Sequence, residues 1–191
     1  MEKIYLDENI YYIENILSSE DLAILDQDCR DKDSWEELNV GYDHWKNNVK
    51  ACSRESKEVL DKLKDIVEKE IDTKDMVISF NNNLSRFVPN DNLDMAMNYH
   101  HDDSQPHTLS GLVFYINDDY KGGEIHYKEK DILWKPIKNS IVFHPSSKEY
   151  THGVKSIKDG QRYMLAMFGY ERDWFENDRG SLNKHLEGKN Y

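Results

Sequence analysis

Met76-Val77-Ile78-Ser79-Phe80, Leu84 to Val88, Met95 to Tyr99, Leu109-Ser110-Gly111-Leu112-Val113-Phe114-Tyr115-Ile116, Glu124 to Tyr127, Ser140 to Phe143 and Tyr163 to Phe168 follow one another through the second half of the chain. Each run is short and rich in β-branched and aromatic residues, and Asn, Asp, Gly, Pro and Lys separate them, which is the pattern of strands and turns. Seven such runs without helical periodicity between them predict an antiparallel sandwich or barrel rather than a sheet built from alternating strands and helices.

Upstream the pattern is different. Val59, Leu60, Leu63, Ile66, Val67 and Ile71 recur at steps of three and four, which predicts an amphipathic helix over 53–71. Ser18-Ser19-Glu20-Asp21 reads as an N-cap with acids in the first turn, opening a helix over 19–29. Ile10 to Ile16 is β-branched and aromatic but alternates poorly. Residues 30–50 carry Trp35, Tyr42 and Trp45 without periodicity and read as loop, its aromatics more core than substrate platform. The charged tail from Glu171 holds a short helix around Trp174 and Phe175 and then frays. The expected fold is therefore mainly β with N-terminal helices, an α+β arrangement in one domain over 1–191. Residues 1–75 give helical support, 76–170 the core and 171–191 the tail.

The chain has 191 residues and a formal net charge of −12. That charge repels phosphate backbones and anionic headgroups, so no nucleic-acid and no membrane partner is expected. No apolar run approaches the roughly 20 residues of a membrane span, and MEKIYLDEN lacks the order of a secretory signal. A soluble, cytoplasmic protein is expected, and the Asn-, Lys- and Asp-rich composition suits an AT-rich bacterial or phage genome. Cys29 and Cys52 are too few for a disulfide framework and lack the spacing of a zinc or redox motif.

Asn98-Tyr99-His100-His101-Asp102-Asp103-Ser104 contains two overlapping His-x-Asp pairs, His100/Asp102 and His101/Asp103. Residues i and i+2 of a strand share a face, so either pair can present an imidazole and a carboxylate to one metal. Two histidines and a carboxylate on one face leave open positions, the arrangement that suits non-haem Fe(II). A third ligand is available at His152, within Tyr150-Thr151-His152-Gly153-Val154. Ten residues later Arg162 opens a strand, and an arginine facing a barrel interior is costly unless an anion pairs it.

His-x-Asp, then His-Gly-Val, then Arg ten residues on resembles the 2-oxoglutarate/Fe(II) dioxygenases, in particular their prolyl 4-hydroxylase-like branch. Leu112 to Asn117, Gly122-Gly123-Glu124 and Val142 to Ser147 extend the resemblance over about 86–169. It implies a double-stranded β-helix, or jelly roll, with the helices packed on its major sheet. It implies Fe(II) on His100, Asp102 and His152, and 2-oxoglutarate with its far carboxylate on Arg162 and Tyr115. O2 is then the oxidant and ascorbate an accessory reductant, and succinate and CO2 accompany hydroxylation of a C–H bond. The family register selects His100/Asp102, whereas strand parity groups Met95, Met97 and Tyr99 with His101 and Asp103; a bulge would reconcile them. The family's Tyr-x-x-Gly lead-in reads Phe87-Val88-Pro89-Asn90 here. His107, His126 and His144 have no part in the pattern and are expected to be structural or exposed. A prolyl residue of a protein or peptide is the implied substrate, with 30–50 and 90–94 as candidate lids. The competing readings are a free amino acid or small metabolite, a non-catalytic jelly-roll binding or sensor module, and a cupin-like metal protein without 2-oxoglutarate.

Overall fold

The structure, a computed structural model, describes residues 1–31, 35, 45–46, 53–104 and 107–177, with side chains omitted at 45–46 and 80–83. The strands are β1 (Ile4–Asp7), β2 (Ile10–Glu14), β3 (Trp45–Lys46), β4 (Met76–Phe87), β5 (Met95–His100), β6 (Thr108–Tyr115) and β7 (Lys121–Gly122). They continue with β8 (Ile125–Tyr127), β9 (Ile132–Trp134), β10 (Ser140–Pro145), β11 (His152–Lys155), β12 (Ile157–Asp159) and β13 (Arg162–Glu171). A major sheet runs β1-β2-β10-β6-β13-β4-β3, a minor sheet β5-β11-β8-β9, and β12 pairs with β7. Every pairing is antiparallel. The two sheets form the jelly roll.

Helix α1 (Ser19–Arg30) starts where the Ser18 hydroxyl accepts from the Asp21 N–H, and α2 (Arg54–Glu70) where Ser53 accepts from the Ser56 N–H at 3.0 Å. Satisfying one orphan donor at a helix start is worth about 1 kcal/mol. Ser53→Ala is expected to lower stability by about that amount, read as a lower urea midpoint at unchanged slope. The apolar faces of both helices, including Leu22, Leu25, Val59, Leu63 and Val67, pack on Leu84, Leu112, Phe114, Tyr163, Leu165 and Met167 of the major sheet. A second cluster lies inside the barrel, where Phe87, Tyr115, Val142 and Met164 meet Ile125, Tyr127, Trp134 and Val154.

Three features differ from the sequence reading. Met76 to Phe80 and Leu84 to Val88 belong to one strand, β4. Its register against β13 passes from Leu165↔Leu84 to Met167↔Phe80, so residues 81–83 bulge opposite Ala166. The asparagines punctuate the strand without ending it. The N-terminal region also supplies strands as well as helices: β2 pairs with β10 at the sheet edge. Ile10 faces the barrel cluster while Tyr11 and Ile13 face the helix cluster, and a strand covered on both sides shows no alternation. Third, β9 and β11 are too short to register as apolar runs. Of residues 30–50, Trp35 is buried, stacks on Tyr163 and donates to the Cys29 carbonyl. Trp45 and Lys46 form β3, whereas residues 32–34, 36–44 (with Tyr42) and 47–50 of that candidate lid, Cys52 and the tail beyond residue 177 lie outside the described residues; residues 172–177 are helical. Among the described residues no helix is long and apolar enough to cross a membrane.

Candidate active site

Strand parity distributes the key side chains. On β13, Tyr163, Leu165 and Met167 point to the helices, so Arg162 and Met164 point into the barrel. On β6, Leu112 and Phe114 take the helix side, which leaves Gly111, Val113 and Tyr115 inside. β10 sends Ile141 outward and Val142 and His144 inward.

β5 does not keep simple alternation. Its register against β11 passes from His152↔His100 to Val154↔Met97, so one extra residue is inserted between Met97 and His100. This bulge turns His100 to the face of His152, which is also opposite Tyr127 on β8. The chain then enters a 3-10 turn over Asp102–Ser104. The Asp102 and Asp103 N–H groups both donate to the Ser146 carbonyl, at 3.0 and 3.1 Å.

These devices bring His100, Asp102 and His152 together, with one ligand atom of each within 4.8 Å of the others. His100 Nε2 lies 3.6 Å from Asp102 Oδ1. Two ligands about 2.1 Å from one ion and at right angles stand about 3 Å apart, so the group needs only a small contraction to close on a metal. His100 Nδ1 donates to the Asn98 carbonyl at 2.9 Å, and His152 Nδ1 to the Tyr150 carbonyl at 3.0 Å. Each bond fixes the tautomer that leaves a bare Nε2 lone pair for a metal. His101 and Asp103 instead pair with each other, both more than a third exposed.

Across the barrel interior lies Arg162, 1% exposed. Its Nη1 donates to the Gly123 carbonyl at 2.9 Å and Nη2 contacts Met164 Sδ at 3.3 Å, while Nε has no partner among the described residues. Phe87 and Tyr115 flank it with ring centroids 5.0 Å from the guanidinium carbon. No acidic side chain among the described residues forms an ion pair with it. The Tyr115 hydroxyl, fully buried, also lacks a partner, and burial pushes its pKa up so that it remains a donor. Gly123 has φ of +72°, and a Cβ there would meet Tyr120 and Ile157, so the carbonyl that braces Arg162 depends on a glycine. A buried cation, an orphaned guanidinium N–H and an orphaned phenol fit a carboxylate, and the His-Asp-His group fits a divalent metal. Together they fit the two ends of a chelating dicarboxylate.

His144, expected from the sequence to be structural or exposed, is buried beside the His-Asp-His group. Its ring centroid is 4.3 Å from that of His152, and Nδ1 stands 3.8 Å from Asp102 Oδ2. Gly111 lies opposite His144 in the β10–β6 register and makes the space that Asp102 and His144 occupy. Ser146 ties the ligand turn to β6, since its hydroxyl donates to the Thr108 carbonyl and its N–H to that of Leu109. His144 and Ser146 lie in the Val142 to Ser147 fragment of the resemblance without a role assigned to either, and Gly111 stands out only as a glycine within a strong apolar run. His107 pairs with Glu171 and stacks on Trp174, and His126 bonds the Tyr99 hydroxyl, both away from the metal group.

Burial holds His144 below the ordinary histidine value of 6.5, and burial, then His144 and His100, hold His152 well below it. Between those lowered values and 6.5 the unfolded chain binds protons that the folded chain refuses. Stability of the metal-free protein is therefore full above about pH 6.5 and falls as the pH drops through that window. Urea midpoints at several pH values below neutrality should decline accordingly, and His144→Phe should flatten the decline.

No curated protein sequence matches the chain. Solved structures share its fold at low identity. A viral collagen prolyl hydroxylase from Paramecium Bursaria Chlorella virus-1 is 18% identical at a TM-score of 0.60, covering 86% of this chain and 97% of that one. A Pseudomonas putida prolyl-4-hydroxylase is 14% identical at 0.62, with 86% and 93% covered. A Trichoplax adhaerens prolyl hydroxylase, solved with a hypoxia inducible factor oxygen degradation domain peptide, is 16% identical at 0.60, with 86% and 84% covered. The family model of the 2OG-Fe(II) oxygenase superfamily matches residues 83–170, the span that contains the His-Asp-His group and Arg162. Over residues 83–170 the chain matches the 2OG-Fe(II) oxygenase superfamily, and it is a dioxygenase that uses Fe(II), 2-oxoglutarate and O2.

Proposed function

We propose that the chain is one catalytic unit that hydroxylates a prolyl residue of a protein or peptide, with succinate and CO2 as co-products. His100, Asp102 and His152 hold the iron, and Arg162 with Tyr115 takes the distal carboxylate of 2-oxoglutarate. The observation that carries this reading is a buried arginine without an acidic partner in the same barrel as a His-Asp-His group. Iron, Asp102, Arg162 and the 2-oxoglutarate dianion together sum to zero charge, which makes burial of the assembled site tolerable where the bare arginine is costly.

When bound, Fe(II) with 2-oxoglutarate and O2 supplies the oxidising power to hydroxylate an unactivated C–H bond. The residues of the chain position these reactants. The Nδ1 bonds of His100 and His152 hold their rings against rotation, and the Ser146 carbonyl holds the turn that carries Asp102. Phe87, Tyr115 and Trp134 keep water from the arginine end. The choice of a prolyl substrate is supported by the shared fold with prolyl hydroxylases, one of them seen with a peptide.

Anaerobic titration with Fe(II) and then 2-oxoglutarate tests the site through its weak visible charge-transfer band. The band should vanish in His152→Ala. Succinate release, with ascorbate present, is then compared between proline-containing peptides and free amino acids. Release driven by peptides supports the prolyl reading, and release driven only by a free amino acid replaces it. Folded, metal-loaded protein without a band would overturn the co-substrate assignment.

A further inference from the structure

Tyr127 has no role in the reading above, yet its side chain stands between the two halves of the site. Its residue is paired in register with His152, its ring centroid lies 5.7 Å from that of His152 and 5.6 Å from that of His144, and it is fully buried. Among the described residues its hydroxyl has no hydrogen-bond partner. A buried phenol left unpaired costs free energy comparable to a lost hydrogen bond, so an interior of this kind calls for an acceptor that arrives later.

The surroundings specify which acceptor. Tyr127 is in register with His152 and its ring adjoins those of His152 and His144, whereas the Tyr115 ring flanks the Arg162 guanidinium at 5.0 Å. Tyr127 thus lies toward the metal ligands and Tyr115 toward the arginine. We propose that Tyr127 is a binding residue for the keto-acid end of 2-oxoglutarate, its hydroxyl donating to the carboxylate that lies beside the metal while Arg162 and Tyr115 hold the other carboxylate. This rests on the co-substrate assignment made above.

Tyr127→Phe removes one oxygen and keeps the ring, so folding should survive, and a melting curve verifies it. Calorimetry with Mn(II) in place of iron should show 2-oxoglutarate binding weakened by about 10- to 100-fold, the worth of one hydrogen bond to a charged acceptor. The anaerobic Fe(II) charge-transfer band should also move, because the lost bond acts on the chelating end. Tyr115→Phe should weaken binding with the band unmoved. Affinity within twofold of the parent protein and an unmoved band in Tyr127→Phe would overturn the proposal. Weakened binding with an unmoved band would overturn the placement at the metal end. A parent protein that fails to bind 2-oxoglutarate at all would overturn the co-substrate reading itself, a result that the two variants do not mimic.

Discussion

Arg162→Met is expected to make the metal-free protein more stable while weakening 2-oxoglutarate binding by about 100-fold or more. The two effects have one origin. In the metal-free chain the guanidinium is buried between Phe87 and Tyr115 with a backbone carbonyl and a thioether as its partners, and among the described residues no carboxylate forms an ion pair with it. Exchanging such a group for an apolar side chain of similar length is commonly neutral or stabilising by about 1–4 kcal/mol. The Gly123 carbonyl then loses its donor, which returns part of the gain, so a rise in melting temperature of about 2–4 °C is expected. With 2-oxoglutarate present the order reverses, because the parent protein gains the full pairing and the variant does not. Melting curves with and without co-substrate and Mn(II) measure both effects. A variant that melts lower than its parent without ligand would show that the arginine is held for structure.

Gly111→Ala should be costly to both stability and metal binding. An alanine Cβ would stand 2.2 Å from Asp102 Oδ2 and 2.5 Å from His144 Cε1, closer than atoms approach. β6 is central in the major sheet, between β10 and β13, and cannot retreat. Asp102 must therefore leave its place beside His100 and His152. We expect metal affinity to fall by about 100-fold and stability by about 1–3 kcal/mol. Gly111→Ala combined with His144→Ala relieves the histidine clash but not the carboxylate clash. That double variant should regain stability without regaining metal affinity. Recovery of both would place the effect in His144 rather than in the Asp102 ligand position.

Much of this architecture is readable from pattern. The 3.6-residue repeat of α2, the caps at Ser18 and Ser53 and the strand runs from Met76 onward each follow from a local rule that the tertiary structure obeys. What escaped reading is non-local. β2 is hidden because both faces of the strand are covered. β4 is divided by three asparagines that the strand absorbs as a bulge. In the site, His100, Asp102, His152, Arg162 and Tyr115 stand at positions that the family resemblance marks, and the structure gathers the first three. His144, Gly111, Ser146 and Tyr127 become visible only when β6, β8 and β10 are laid beside the ligand turn, since their importance lies in what faces them across the sheets.

The extra residue between Met97 and His100 gives the His-His-Asp-Asp sequence a meaning of its own. The motif is written twice, one letter apart, and the irregular register of β5 decides which copy meets His152: His100 and Asp102 come to it, while His101 and Asp103 pair with each other, both partly exposed.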